Sequence, residues 1–232
     1  MRVNADFGQL AFVTASDADW RASPEPGVER RMLDRVGDEV ARATSIVRYA
    51  PGSSFARHAH SKGEEFLVLD GVFSDESGDY PTGTYVRNPP GSSHAPSSSG
   101  GCRILVKLRQ FDAADLRHCV IDTRDESLWS GRDELPLHAY GAERVAMRRL
   151  GAGDHYALDA NAGGTEILVV DGVAVFEGEQ YPAESWLRFP PAHEASIVAG
   201  APTRLWIKTG HLEDIALAQD AILQECAVAA GD

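Results

Sequence analysis

Cysteine is scarce in this chain. Cys102, Cys119 and Cys226 are the only three among 232 residues, and no two of them form a Cys-x-x-Cys pair. That excludes a disulfide framework and fits a reducing, cytoplasmic setting. Basic residues are also in deficit. Lys and Arg number 22 against 35 Asp and Glu, a formal net charge of −13. Surfaces that hold nucleic acid are usually basic, so no nucleic-acid partner is expected. Long apolar runs are missing as well. No stretch approaches the roughly 20 residues that cross a bilayer as a helix. The opening MRVNADFGQLAFV lacks the apolar centre of a signal peptide, so no membrane partner is expected either. What is present is ordinary for a globular chain: 43% hydrophobic and 25% charged residues, at a length that buries one large core or two small ones.

The apolar residues come in short β-branched and aliphatic runs. TSIVRYA, EFLVLDGVF, GTYVRN, RILVKLRQF, EILVVDGVAVF, SWLRFP and RLWIKTG are each closed by Gly, Pro, Ser or Asp. Regular short strands with turn signals predict an all-β barrel or jelly roll. Residues 213–230, with Ile215, Leu217, Ile222, Leu223 and Cys226 near helical spacing, predict one short C-terminal helix. The polar stretch 122–136 has no strand pattern and reads as a linker.

Shifting the chain by 101 positions overlays it on itself. Arg48 meets Arg149, Gly52 meets Gly153 and Glu65 meets Glu166. FLVLDGV (66–72) meets ILVVDGV (167–173), and Tyr80-Pro81 meets Tyr181-Pro182. Arg87 meets Arg188, Pro89-Pro90 meets Pro190-Pro191, Arg103 meets Arg204, and Lys107 meets Lys208. Agreement at one fixed offset over so many positions indicates two copies of one structural unit. The expected domains are 1–120 and 121–232.

Chemistry concentrates in the first copy. In GSSFARHAHSKGEEFLVLDG, His58 and His60 are two residues apart, so on a strand both imidazoles point to one face. Neutral imidazoles in such a pair suit a divalent metal. Glu64 adds a carboxylate if the chain turns at 61–63, and His94, closing GTYVRNPPGSSH, supplies a fourth donor. Glu65 is the alternative carboxylate, but alternation sets it opposite Glu64 and the repeat keeps it where the ligands are lost. A salt bridge to an Arg on a paired strand suits it better. At the same offset His58 falls on Asp159, His60 on Asn161 and Glu64 on Thr165, with His193 two residues short of the counterpart of His94. One divalent ion per chain is therefore expected, in the first copy. Zn²⁺ and Fe²⁺ lead, and Mn²⁺ and Ni²⁺ also accept this donor set. Arg87, Arg188, Lys107 and Lys208 read as architectural, and Asp75, Glu76 and Asp79 as a solvated hairpin turn. No catalytic residue beyond the ligands is singled out.

These two stretches resemble the cupin motifs. Gly52, His58, His60, Glu64 and Gly71 fit every position of the first motif. Gly83, Pro89, Gly91 and His94 fit the second, whose final Asn is replaced by Ser98. The wording around them is similar to the cupin-like domain of the anti-sigma factor ChrR and its relatives. The resemblance implies a bicupin of tandem double-stranded β-helix (jelly-roll) barrels, the second with a degenerate site, and a homodimer through barrel edges is compatible with it. It also implies two functions. Stand-alone relatives include dioxygenases of small diketones, which would make this a metal-dependent dioxygenase acting on a small oxygenated molecule. The ChrR proteins are zinc-binding sensory anti-sigma factors, whose sigma-binding part carries His and Cys ligands. The first 50 residues here contain neither.

Overall fold

Strand alternation decides which side chains fill each core, and one irregularity decides the rest. In the computed structural model, which describes residues 1–16, 19–160, 163–212 and 215, the strand Cys102–Leu108 sends Cys102, Ile104 and Val106 into one core. Arg103, Leu105 and Lys107 take the other face, as a period of two requires. The neighbouring strand Glu64–Asp75 contributes Phe66 and Val68, and then Phe73, to the same core. The change from even to odd follows from a β-bulge, because Ile104 pairs with Val68 while Arg103 pairs with Asp70. The extra residue, Leu69, reverses inside and outside for everything after it. Gly71 follows the bulge at φ +75°, and a Cβ there would lie 2.2 Å from the Gly101 carbonyl oxygen.

Two compact units result. Residues 1–5 and 19–124 form the leading unit, and the described residues of 6–18 and 125–219 form the trailing one. The main leading sheet runs Arg2–Val3, Val28–Gly37, Ala41–Tyr49, Cys102–Leu108, Glu64–Asp75, Thr84–Asn88, Cys119–Asp122, with antiparallel neighbours. A separate ribbon pairs His58–His60 with Ser92–His94. The trailing sheet repeats the order: Glu134–Tyr140, Glu143–Leu150, Thr203–Thr209, Thr165–Asp171, Trp186–Phe189, Ala11–Val13. Its bulge recurs between Val169 and Asp171. The described residues are thus nearly all β, two jelly-roll units in tandem, as the repeat implies.

The details differ from the sequence reading in two places. Residues 6–16 fold with the trailing unit, because Phe12 packs against Phe176, Tyr181 and Phe189 at ring separations of 5.6, 5.7 and 5.6 Å. The stretch read as a linker holds one helical turn, Glu126–Trp129, capped by Asp125, and the start of Glu134–Tyr140. Trp129 anchors that turn, buried under the Arg149 guanidinium at 3.8 Å. The expected C-terminal helix lies outside the described residues except for Ile215. Among the described residues no helix is long and apolar enough to cross a membrane.

The repeated charged residues sit on the face away from the cores. Glu65 stands opposite Arg87, and Arg87 donates to Glu65 Oε2 at 3.1 Å and to Asp115 Oδ2 at 2.6 Å. Tyr85 donates to the same Glu65 oxygen at 2.7 Å, and the Phe111 ring lies 3.5 Å from the guanidinium carbon. In the trailing unit Arg188 rests on Phe7 at 4.6 Å, Lys208 meets Glu143 at 3.2 Å, and Glu166 holds His211 at 3.0 Å. These are buried groups with close partners, and removing one partner is costly. We expect Glu65→Ala to destabilise the protein by about 3 kcal/mol in urea unfolding. Glu29→Ala, which frees the half-exposed Arg48, should cost less than about 1 kcal/mol. Equal losses would contradict the architectural role.

Candidate metal centre

Two short strands and one long one bring the four expected side chains together. His94 lies directly opposite His58 in the ribbon register. His60 follows on the same strand face, and the turn through Gly63, closed by Gly63 N–H donating to the His60 carbonyl at 3.2 Å, delivers Glu64. The ligand nitrogens of His58, His60 and His94 all lie within 4.8 Å of one another. His60 Nε2 is 3.0 Å from His94 Nε2, and Glu64 Oε2 is 3.5 and 3.4 Å from these two atoms. His60, Glu64 and His94 are buried, and His58 is half-buried.

Hydrogen bonds on the far sides of the rings fix what faces the centre. A carbonyl only accepts, so His58 Nδ1–H donates to Ala56 O at 2.9 Å. His94 Nδ1 is 3.1 Å from the carboxylate of Asp75, which likewise makes Nδ1 the donor. Both imidazoles, when neutral, then turn the Nε2 lone pair inward. Asp75 is itself held, accepting from Tyr80 O–H at 3.1 Å and from Ser77 N–H at 2.8 Å. Asn88 donates to Glu64 Oε2 at 3.1 Å.

Burial sets the protonation states. It lowers the His60 imidazole to about 4, with His58 adding to the effect. It raises the Glu64 carboxyl, against the pull of His94, Asn88 and His58. Inward lone pairs facing a buried carboxylate oxygen form a strongly electron-rich point. Donors about 2.0–2.1 Å from a shared ion stand about 2.9–3.4 Å apart, close to the 3.0, 3.4 and 3.5 Å found among His60, His94 and Glu64, with His58 within 4.8 Å of the other two imidazoles. The donor set therefore fits a divalent metal.

The centre opens onto a cavity of about 670 Å³, with Val47, Tyr49, Phe55, Ile104, Val106 and Leu108 on its walls and His58, His60 and Glu64 at its edge. This lies within the usual range for small-molecule sites. Burial and the nearby Glu64 push the Tyr49 hydroxyl well above its ordinary value, so it remains an O–H donor on that wall.

Asp75, Tyr80 and Asn88 are the participants the sequence did not reveal. Asp75 does not belong to a solvated turn: its side chain is 6% exposed. Plain alternation from Glu64 points it outward, and the bulge at Leu69 reverses that. The signal lay in the repeat. At the offset of 101, Asp75 meets Phe176, Asn88 meets Phe189 and Glu64 meets Thr165. The rings of Phe176 and Phe189 touch edge to face at 5.2 Å within the trailing core. His193 lies against Phe189 at 5.6 Å, and Asn161 lies outside the described residues. Among the described residues, the histidine trio of the leading unit is the one cluster suited to a metal.

Tandem jelly-roll units, one with a histidine cluster at the edge of its cavity, define a bicupin. Residues 8–112 match the model of the ChrR cupin-like domain. No curated protein matches the sequence. A provisionally assigned dioxygenase from Nostoc punctiforme superposes with a TM-score of 0.70 at 14% identity, over 89% of this chain and 84% of that one. Pirin YhhW from Escherichia coli, in complex with nickel(II), gives 0.64 at 15% identity over 87% and 98%. Oxalate decarboxylase from Bacillus subtilis gives 0.56 at 14% identity over 90% and 79%. At these identities the likeness carries the fold alone.

The depressed His60 makes the metal-free protein acid-sensitive. The unfolded chain takes up this proton near pH 6.5, the folded chain only near about 4. Stability should therefore fall as pH drops through that window, by about 3 kcal/mol in all. The raised Glu64 acts the other way, binding its proton more readily in the folded state. His60→Gln should flatten the urea-midpoint profile between about pH 7 and about pH 4. An unchanged slope would contradict the burial argument.

Proposed function

We propose that the leading unit binds one divalent metal ion through His58, His60, Glu64 and His94. We further propose that this centre serves a non-haem, dioxygenase-like reaction on a small oxygenated organic molecule held in the adjoining cavity. The convergence of the imidazole nitrogens on the buried carboxylate oxygen carries this reading. The nickel(II) complex of pirin YhhW and the dioxygenase assignment of the Nostoc relative support it at the level of the fold. A bound divalent ion supplies Lewis acidity, and iron adds redox chemistry.

The chain's own residues do the rest. His58 and His94 present Nε2 because Ala56 O and Asp75 hold their Nδ1 protons. Asp75 positions His94 in the way carboxylates commonly orient metal-binding histidines. Asn88 fixes the rotamer of Glu64. The apolar walls exclude water, and Tyr49 offers a hydrogen bond to a ligand oxygen. The alternative is a zinc-binding sensory module of the ChrR type, favoured by the family match over residues 8–112.

Metal content of protein purified without oxygen tests the site. His60→Ala should lose most of the ion, whereas His193→Ala should keep it. Asp75→Asn should weaken affinity about 10- to 100-fold. Equal loss in His60→Ala and His193→Ala would overturn the single site. Oxygen-electrode assays with β-diketones and hydroxylated aryl ketones separate the two functions. Stoichiometric iron with oxygen uptake supports the enzyme, and tightly held zinc without uptake supports the sensor.

A further inference from the structure

The cavity beside the histidine cluster is walled by hydrocarbon but carries charged groups, and most of these are already engaged. Arg30 is 3.3 Å from Glu39, and Arg57 is bonded to Glu76. Glu25 is an acid, and Glu64 belongs to the centre. Arg109 is different. Among the described residues its side-chain partner is a neutral hydroxyl, Ser61 Oγ, which accepts from Nη1 at 2.6 Å. A guanidinium has five N–H donors, so several remain to receive an anion. Ser61 follows His60 directly, which keeps this cation close in the chain to the centre.

The repeat shows the backbone conformation that Arg109 adopts. Arg109 closes its strand at φ +59° and donates its backbone N–H to Gly63 O at 3.1 Å. Its counterpart at the offset of 101 is Gly210, at φ +76°, donating to Gly164 O at the same distance. The backbone is one device used twice. Glycine is the residue that this left-handed conformation favours, and a long side chain adopts it at a cost. In the trailing unit a Cβ at Gly210 would lie 2.1 Å from the Ala142 carbonyl oxygen, so glycine is required there. The leading unit accommodates an arginine at the same backbone position, on the wall of its cavity. A long side chain held in this costly conformation beside a cavity points to function.

We infer that Arg109 is a specificity-determining residue that selects ligands with a carboxylate on an apolar body. The carboxylate pairs with the guanidinium, and the body lies along the wall of Val47, Phe55, Ile104, Val106 and Leu108. This rests on the reading of the cavity as the ligand site, but not on the ion. A carboxylate accepts two parallel N–H bonds from a guanidinium, whereas the matching amide offers one neutral oxygen and loses the charge.

Calorimetric titration with hexanoate, benzoate and 3-phenylpropanoate, each against its amide, tests the assignment on the protein as purified and after chelator treatment. Metal content is measured in parallel. The best acid should bind about tenfold or more tightly than its amide, with or without metal. Arg109→Gln and Arg109→Gly should abolish that preference with metal content unchanged, while Arg57→Gln keeps it. Arg109→Gly should also leave the unfolding midpoint unchanged or raised, which a purely structural arginine would not. A preference that survives in the Arg109 variants but disappears with the metal would show that the ion reads the anion, and would overturn the inference. So would equal binding of acid and amide, or no binding of any acid at millimolar concentration. Failure of the metal reading alone would appear as absent metal with the acid preference intact.

Discussion

A buried carboxylate oxygen faces imidazole nitrogens, and this is the constraint on which the leading unit depends. Glu64 lies 3.5 and 3.4 Å from the inward nitrogens of His60 and His94, in a place where water cannot dilute the charge. An electron-rich cluster in a low-dielectric interior demands a proton or a cation. Burial makes the proton a poor answer at His60, which it holds neutral down to about 4, and a better one at Glu64, whose carboxyl it raises, so a divalent ion competes with a proton only at that oxygen. The surrounding shell works in the same direction. Asp75 and the Ala56 carbonyl fix two tautomers, Tyr80 and Ser77 fix Asp75, and Asn88 fixes Glu64. Each bond orients a lone pair toward one point.

The trailing unit shows the same scaffold released from that demand. The strand order, the bulge, the turn prolines and the outward Glu, Arg and Lys positions all recur. The polar interior does not. Threonine stands for Glu64, and phenylalanines stand for Asp75 and Asn88. The two rings meet within the core, where Phe12 joins them. Glu64 and its neighbours Asp75 and Asn88 all have counterparts that cannot serve the same roles, while His193 rests against Phe189. A half-satisfied polar cluster is worse than an apolar core, so partial loss is not a stable resting point.

Much of this was legible in the sequence, for identifiable reasons. The spacing of His58 and His60 maps onto one strand face because the period there is strictly two. The fixed offset exposed the repeat, and Glu65 could be set apart from Glu64 by alternation and by its survival as Glu166. Its partner proved to be Arg87 on the adjoining strand. Legibility ended at the bulge. Leu69 shifts the register by one, so Asp75 reads from sequence as an outward residue of an acidic turn although its side chain is buried behind His94. Residues 6–16 were illegible for a different reason. Strand Ala11–Val13 is three residues long, and only the aromatic pocket it fills tells which sheet it joins. The cavity was invisible too, because emptiness is a property of packing and leaves no motif.

The most direct measurement is anomalous diffraction at the metal edge from crystals of the protein purified with its native ion. One peak per chain is expected, within about 2.0–2.2 Å of three imidazole nitrogens and one carboxylate oxygen, those of His58, His60, His94 and Glu64. A peak of equal height in the trailing unit would contradict it. So would no peak at all, with the imidazoles turned away from Glu64.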